Sequence, residues 1–225
     1  MNKNLTIRDV HRPRAGMAEQ ETHRTLGEAG FRREAAHALS TPLGSLLLRA
    51  ELIDHYLRQD KVPQAREAVT ALLRDFDAFG RRFRSAFAAM ADIAEEGSEP
   101  GNPRECLAEA LVEMRDEAVA VGYRGLAPSV AMPAAALTAL MRRLVLLAAE
   151  THASDVTLSG TRSGDQCLLS LTGVGGDSVA EERQPFESER SLHLWTAREI
   201  VARHGGRLVA AETSDTIVRV ILPIV

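Results

Sequence analysis

The stretch EAAHALSTPLGSLLLRAEL, residues Glu34–Leu52, has the composition of a helix but carries a proline near its middle. Alanine, leucine, glutamate and arginine, all good helix formers, make up most of it. Proline inside a helix normally costs about 3 kcal/mol, because it removes a hydrogen bond and clashes with the preceding turn. Pro42 follows His37 by five residues. A segment that tolerates this cost indicates a turn, a kink or a reactive site.

The apolar residues of this region repeat in steps of three and four. Such spacing predicts two long amphipathic helices, and the charged segment RQDKVPQ, residues 58–64, predicts the turn of an antiparallel hairpin. Two helices alone cannot enclose so wide an apolar seam, so we expect two chains to pair as a four-helix bundle. The predicted seam residues are Leu39, Leu43, Leu46, Ala50, Ile53, Leu57, Ala65, Val69, Leu72, Phe76, Phe79, Phe83, Ala86, Met90 and Ile93.

A helical wheel places His37 on the side of its helix that faces away from this seam. At 100° per residue, the seam lies about 160–200° from the histidine. A lone histidine in such a position is most often a solvated surface residue. Single leucines exposed on the same side of a helix are also common and do not by themselves indicate a binding site. Thr41, Gly44 and Leu48 lie close to the face of His37, and Leu52 lies about 60° from it.

The segment HALSTPLGSL, residues 37–46, resembles the H-box of the dimerisation and histidine-phosphotransfer domain of sensor histidine kinases. The H-box has a phosphorylated histidine, a threonine or asparagine four residues later, then a proline and an apolar residue, and all four positions match. The resemblance implies that His37 is the phosphoacceptor and that Thr41 supports dephosphorylation of a response regulator. In that family the proline bends the helix beside the histidine, which would account for Pro42.

One position departs from the H-box pattern. Kinases that phosphorylate themselves usually carry an acidic residue directly after the histidine, where it acts as a base, and this chain has Ala38 there. The resemblance therefore implies phosphoacceptor chemistry, while autokinase activity is not expected.

Leu48 and Leu52 form an apolar strip beside the small Gly44, and we expect this strip to bind the first helix of a receiver domain.

The second half of the chain has a mixed pattern that predicts an α/β sandwich, so the fold class is α+β. Helical patterns cover residues 105–123, 134–153 and 192–206, and strand patterns cover residues 155–173 and 207–225. The segment EEGSEPGNP, residues 95–103, has the composition of a linker. The predicted organisation is a flexible N-terminal tail at residues 1–24, the helical hairpin at 25–96, a linker at 97–103 and the sandwich at 104–225.

The end of the chain resembles the ATPase domain of the same kinases. In residues 198–223 a helix ending in His-Gly-Gly precedes a last strand pair and Leu-Pro, as in that domain. Its nucleotide motifs are lost: Ala148 replaces the asparagine that coordinates magnesium, Leu171 replaces the aspartate that binds adenine, and Ser191–Leu194 replace the glycine-rich phosphate box. The resemblance implies a degenerate ATPase-like domain that holds no nucleotide and no metal.

The composition excludes several classes of function. A net charge of -4 and a pI near 6.0 give no basic signal for nucleic acid or an anionic membrane. No apolar run reaches the roughly 18 residues of a membrane span. Cys106 and Cys167 lie far apart in apolar surroundings without metal-binding spacing, as expected of reduced core cysteines in a cytoplasmic protein.

The intact histidine, the lost acidic neighbour and the lost nucleotide motifs are together similar to the dimeric histidine phosphotransferases of bacterial phosphorelays. The resemblance implies a homodimer that takes a phosphoryl group from one receiver-domain aspartate onto His37 and passes it to another. Its partners would be response-regulator receiver domains, with a hybrid histidine kinase as a further candidate, and Mg²⁺ would come with the receiver. Two alternatives stay open: a non-enzymatic pseudokinase that regulates a kinase or response regulator, and a divergent histidine kinase that binds ATP.

Overall fold

The structure is a computed structural model that describes residues 27–115, 120–177, 179, 186, 188–210 and 215–225. The predicted N-terminal tail, residues 1–24, lies outside the described residues. The helices are α1 (Gly27–Arg58), α2 (Val62–Ala94), α3 (Pro103–Glu113), α4 (Ala134–Glu150) and α5 (Glu189–Arg203). The strands are β1 (Pro100–Gly101), β2 (Gly122–Gly125), β3 (Val130–Pro133), β4 (Ser154–Ser163), β5 (Gln166–Val174), β6 (Arg207–Ala210) and β7 (Thr216–Pro223). None of the helices in this part of the chain is long and apolar enough to span a bilayer.

Helices α1 and α2 form the predicted hairpin. Helix α1 continues through Pro42, so the proline lies inside an uninterrupted helical segment. The turn contains Asp60 in the left-handed conformation, with φ 57°. Pro63 lies in the first turn of α2, where its missing N–H would have no helical partner in any case. Midway along the hairpin, Arg49 Nε lies 2.5 Å from Asp75 Oδ2, so an ion pair links the two helices at this level.

The heptad seam is only partly buried within one chain. Its buried members include Leu46, Ala65, Ala86 and Ile93, whereas Phe76 is 60% exposed. Apart from Leu48 and Leu52, the large apolar side chains left exposed on the hairpin, which we call the apolar stripe, are Leu43, Leu47, Leu57, Val62, Val69, Leu73, Phe76, Phe83 and Phe87. One hairpin buries a single side of each helix, so the adjacent apolar side stays uncovered within the chain.

The C-terminal half contains a five-stranded mixed sheet in the order β2-β4-β5-β7-β6. Strand β2 runs parallel to β4, and the other neighbours are antiparallel. Helix α4 carries an almost continuous run of buried side chains and packs against α3, α5 and the sheet. The predicted fold class, a helical hairpin followed by an α/β sandwich, is confirmed.

One predicted helix is too long. Helix α3 ends at Glu113, and Tyr123, at the end of the predicted helix, lies in β2 opposite Leu158 of β4. Gly125 in the same strand has φ 92°, and a Cβ there would overlap the carbonyl oxygen of Gly160. Close pairing with β4 therefore requires glycine, a long-range condition that the local helical pattern does not reveal.

The segment predicted as a linker packs into the C-terminal half. Strand β1 pairs with β3, and a Cβ added to Gly101 would lie 2.6 Å from Leu137 Cδ2. Asn102 caps α3, because its side-chain oxygen accepts hydrogen bonds from the first backbone N–H groups of that helix. The glycine and proline content of residues 97–103 thus serves close packing and a helix start instead of free movement.

Cys106 and Cys167 lie in the core, as predicted. Both cysteines are free thiols, and burial raises the pKa of Cys167 to about 11. A thiol with a raised pKa is a weak nucleophile, since the thiolate is the reactive form. The cysteines are therefore structural residues.

Candidate functional site

His37 lies on the exposed side of α1, one helical turn before Thr41. Gly44, Leu48 and Leu52 continue along the same side towards the hairpin turn, and all of them are exposed. Leu48, about three turns from the histidine, is 68% exposed. A Cβ added to Gly44 would meet nothing within 4 Å, so a partner can approach the helix closely at this point. The structure brings the five predicted site residues onto one open side of one helix.

Contacts at the start of α1 fix the direction in which His37 points. Phe31 is buried, and its ring centroid lies 5.2 Å from that of Phe186. The backbone N–H of Gly27 donates a hydrogen bond of 3.0 Å to Glu199 Oε2 of α5. These contacts hold one side of α1 against the C-terminal half, so the histidine side faces water.

Four side chains form a polar cluster between the end of α2 and the C-terminal half, which we call the junction cluster: Asp92, Arg143 and His193, which are buried, and Arg142, which is partly exposed. Asp92 Oδ2 accepts a hydrogen bond of 2.5 Å from Arg143 Nε, and Oδ1 accepts one of 3.0 Å from Arg142 Nη1. Arg143 Nη1 lies 3.2 Å from His193 Nδ1. Arginine has only donors, so this nitrogen of the histidine accepts and carries no proton.

Burial and the charge of Arg143 keep His193 neutral. Burial, and then the charge of Arg143, lower the pKa of His193 to about 3. Burial also lowers the pKa of Arg143, and Asp92 acts in the opposite direction by stabilising the guanidinium. Arg142 joins the cluster to α3 through Glu113 Oε2, at 3.2 Å from Arg142 Nη2.

No sequence pattern predicted the junction cluster. Its signal was the adjacent pair Arg142 and Arg143 in a helix whose other side chains are mostly apolar, because arginine is rarely buried without a partner. The partner Asp92 lies in a different helix and far away in the chain. Such a pairing cannot be assigned from one sequence.

A cleft of about 140 Å³ opens between the hairpin and α5, beside His37; we call it the junction cleft. Its walls combine apolar side chains with two opposite charges, Arg82 and Glu189. Ala38 occupies the position where the H-box of an autokinase has an acidic residue, and its small side chain leaves room in the cleft. The lining residues are Ala38 and Leu39 of α1, Arg82 of α2, Phe186, and Ser188, Glu189 and Leu192 at the start of α5.

Comparison with known proteins relates this geometry to solved structures. No protein-family model matches the chain, and no curated protein matches it at a significant level. The histidine kinase AdeS of Acinetobacter baumannii is 14% identical to the chain and superposes with a TM-score of 0.54. The match covers 84% of this chain and 98% of that one. The fold is that of a histidine kinase.

Two further structures with a histidine-kinase or phosphotransferase description match with lower scores. The catalytic domain of histidine kinase ThkA is 16% identical, covering 57% of this chain and 96% of that one, with a TM-score of 0.46. A structure described as a bacterial phosphotransferase is 11% identical, covering 85% of this chain and 93% of that one, with a TM-score of 0.42. At such identities the likeness concerns the fold, and the function must be argued from the residues.

Within this histidine-kinase fold, the positions assigned to nucleotide motifs hold side chains engaged in packing. Ala148 on α4 and Leu171 on β5 are each 1% exposed. The Ser191 hydroxyl accepts from the backbone N–H of Ser188 as part of a capping box, and His193 belongs to the junction cluster. These side chains are either apolar or already hydrogen-bonded within the protein. A nucleotide needs free polar groups at such positions.

Proposed function

We propose that this protein is a histidine phosphotransferase that relays a phosphoryl group between receiver-domain aspartates through His37, without binding ATP. The observation that carries the proposal is a contrast between two sites on one histidine-kinase fold. The H-box side is open, with His37 and Thr41 exposed one turn apart. The nucleotide positions Ala148 and Leu171 are closed by core packing.

The chemistry assigned to His37 is a pair of reversible transfers. A neutral ring nitrogen attacks the phosphorus of an aspartyl phosphate, the P–N bond forms, and the acyl P–O bond breaks as the carboxylate leaves. The second transfer reverses these steps onto the aspartate of another receiver. Thr41 is one turn away, so its hydroxyl can orient a water molecule when the phosphoryl group is hydrolysed. The Mg²⁺ that offsets phosphoryl charge is assigned to the receiver.

The partner surface is the strip of Gly44, Leu48 and Leu52. A receiver helix lying along α1 would bury both leucines and bring its aspartate towards His37. The strip is exposed and leads away from the histidine along one side of the helix, which supports this role. Receiver domains of this kind would be met in the cytoplasm, where we place the protein.

A second copy of the chain is the proposed cover of the apolar stripe. Val62, Val69, Phe76 and Phe83 are spaced by seven residues along α2 and are all exposed. That spacing is the seam of a coiled coil, and it needs a partner with the same spacing. Two hairpins related by a twofold axis would pair the stripes as a four-helix bundle.

Labelling with phosphorylated receiver domains of the host tests the proposal. The expected result is transfer of label to this protein without ATP, in an acid-labile and base-stable form, and onward transfer to a second receiver. Absence of label with every receiver refutes the proposal. Receiver binding without label would favour the pseudokinase alternative, and labelling only with Mg-ATP would favour a divergent kinase.

A further inference from the structure

The junction cleft lies within reach of any partner that reacts with His37. Ala38 and Leu39, which line it, directly follow the histidine. Transfer requires the reacting atoms to come about 3–3.5 Å apart. A specific interface covers about 800 Å² on each partner, equivalent to a disc with a radius of roughly 16 Å. A receiver centred on His37 is therefore wide enough to extend over Ala38 and reach the cleft.

The residues that line the junction cleft are suited to binding side chains of a partner protein. Leu192 and Phe186 supply apolar surface beside the small Ala38, and Arg82 lies at the rim with an exposed side chain. Arg82 forms no ion pair within the described part of the chain. Its guanidinium is thus available to a carboxylate on a partner, and arginine is among the residues most often dominant at interfaces.

The wall contributed by the C-terminal half is held in place. Asp92 is buried against Arg143, and breaking such a pair leaves an uncompensated buried charge, which is strongly unfavourable. Arg203 Nη1 donates a hydrogen bond of 2.9 Å to the carbonyl oxygen of Ile93, a second tie at the same end of α2. The cleft therefore has walls fixed from both halves of the molecule.

We propose that the C-terminal half is a docking platform, and that a receiver places an apolar side chain in the junction cleft and an acidic group against Arg82. This inference rests on the proposed function, because it concerns the partner of His37. It assigns a role to a domain whose nucleotide positions are filled by core side chains. The receiver would then contact the protein at two places, at Leu48 and Leu52 along α1 and at the cleft beside the histidine.

Binding of receiver domains to charge-reversed variants tests this docking role. The probe is each fluorescently labelled receiver domain of the host, titrated with the unmodified protein and with variants. Arg82→Glu should raise the dissociation constant by about tenfold or more, which corresponds to about 1.4 kcal/mol. The matched control Arg66→Glu reverses an exposed arginine of the same helix about 24 Å nearer the hairpin turn, and should leave the constant within about twofold. Leu48→Arg, on the proposed strip, should weaken binding as Arg82→Glu does.

The outcomes separate this inference from the proposed function. Unchanged binding of Arg82→Glu would overturn the docking role, even where His37 takes up label. Binding that depends on Arg82 without label on His37 would support the docking role and overturn the transfer. Absence of binding by every receiver would overturn both. Arg82→Gln removes the positive charge without repelling Glu189. If circular dichroism shows that Arg82→Glu has lost helix, the dissociation constant of Arg82→Gln tests the docking role in its place.

Discussion

His37 and His55 form a matched pair of histidines on α1. They lie five helical turns apart, about 27 Å along the axis, so both project from the same side of the helix, and both are exposed. Their surroundings differ, because His55 Nε2 lies 2.8 Å from Gln59 Nε2 near the hairpin turn. We expect His37→Gln to abolish phosphoryl uptake from a phosphorylated receiver, since glutamine keeps polarity but removes the nucleophile.

The same labelling experiment on His55→Gln provides the control. This variant should take up label at the unmodified rate, because the receiver strip and the H-box are intact. Circular dichroism should show equal helix content for both variants, so that a loss of label reports chemistry and not folding. Equal labelling of His37→Gln would place the phosphoacceptor elsewhere.

His193 makes the stability of the protein depend on pH. Its pKa is lowered to about 3 in the folded chain by burial and by Arg143, against 6.5 as its ordinary value. Between these values the unfolded chain binds a proton that the folded chain does not. The free energy of unfolding therefore decreases as pH falls from 6.5, by up to about 1.4 kcal/mol per pH unit for this group.

Urea unfolding at about pH 7 and about pH 5 measures this dependence. The unmodified protein should lose stability at the lower pH, and His193→Gln should lose clearly less, because glutamine does not titrate. The exposed His55→Gln is the control and should keep the full loss. His204, whose pKa is also lowered by burial, adds a loss of the same sign to all three proteins. An equal loss in His193→Gln and the unmodified protein would contradict the assignment.

Assembly of the proposed dimer depends on the apolar stripe. We expect Phe76→Asp to dissociate the dimer, because pairing would bury an unpartnered carboxylate, at a cost of several kcal/mol. The side chain is 60% exposed within one chain, so the hairpin itself should still fold. Multi-angle light scattering gives the mass. Thr70→Asp, an exposed position of α2 outside the stripe, should remain dimeric. A monomeric unmodified protein would refute the four-helix bundle.

The sequence predicts some helices and strands better than others, because some depend on neighbouring residues and others on residues distant in the chain. Helices α1 and α2 follow from heptad spacing sustained over many turns, and the β4–β5 hairpin follows from the turn at Gly164 and Asp165. Strands β1 and β2 are short and have partners distant in the chain, so no local period marks them. Tyr123 belongs to a strand because of β4, not because of its neighbours.

The candidate site also has parts that the sequence predicts locally and parts that depend on contacts between distant residues. His37, Thr41 and Leu48 lie on one helix, so a helical wheel is enough to place them on one side. Asp92 and Arg143 lie on different helices and come into contact only in the folded protein, so no sequence period relates them. The junction cleft has the same origin, because its walls come from α1, α2 and α5. Sites assembled from several elements are therefore lost to sequence reasoning, while sites on one helix are found.

The whole molecule has the fold of a histidine kinase with a closed core at the predicted nucleotide positions. Leu171 is 1% exposed, so an aspartate there would be an unpartnered buried charge. We expect calorimetry with Mg-ATP at millimolar concentration to show no saturable binding. Leu171→Asp should not create binding but should lower the free energy of unfolding by about 3 kcal/mol or more. Val174→Asp, exposed on the same strand, should change stability little. Saturable ATP binding by the unmodified protein would contradict this prediction and favour a divergent kinase.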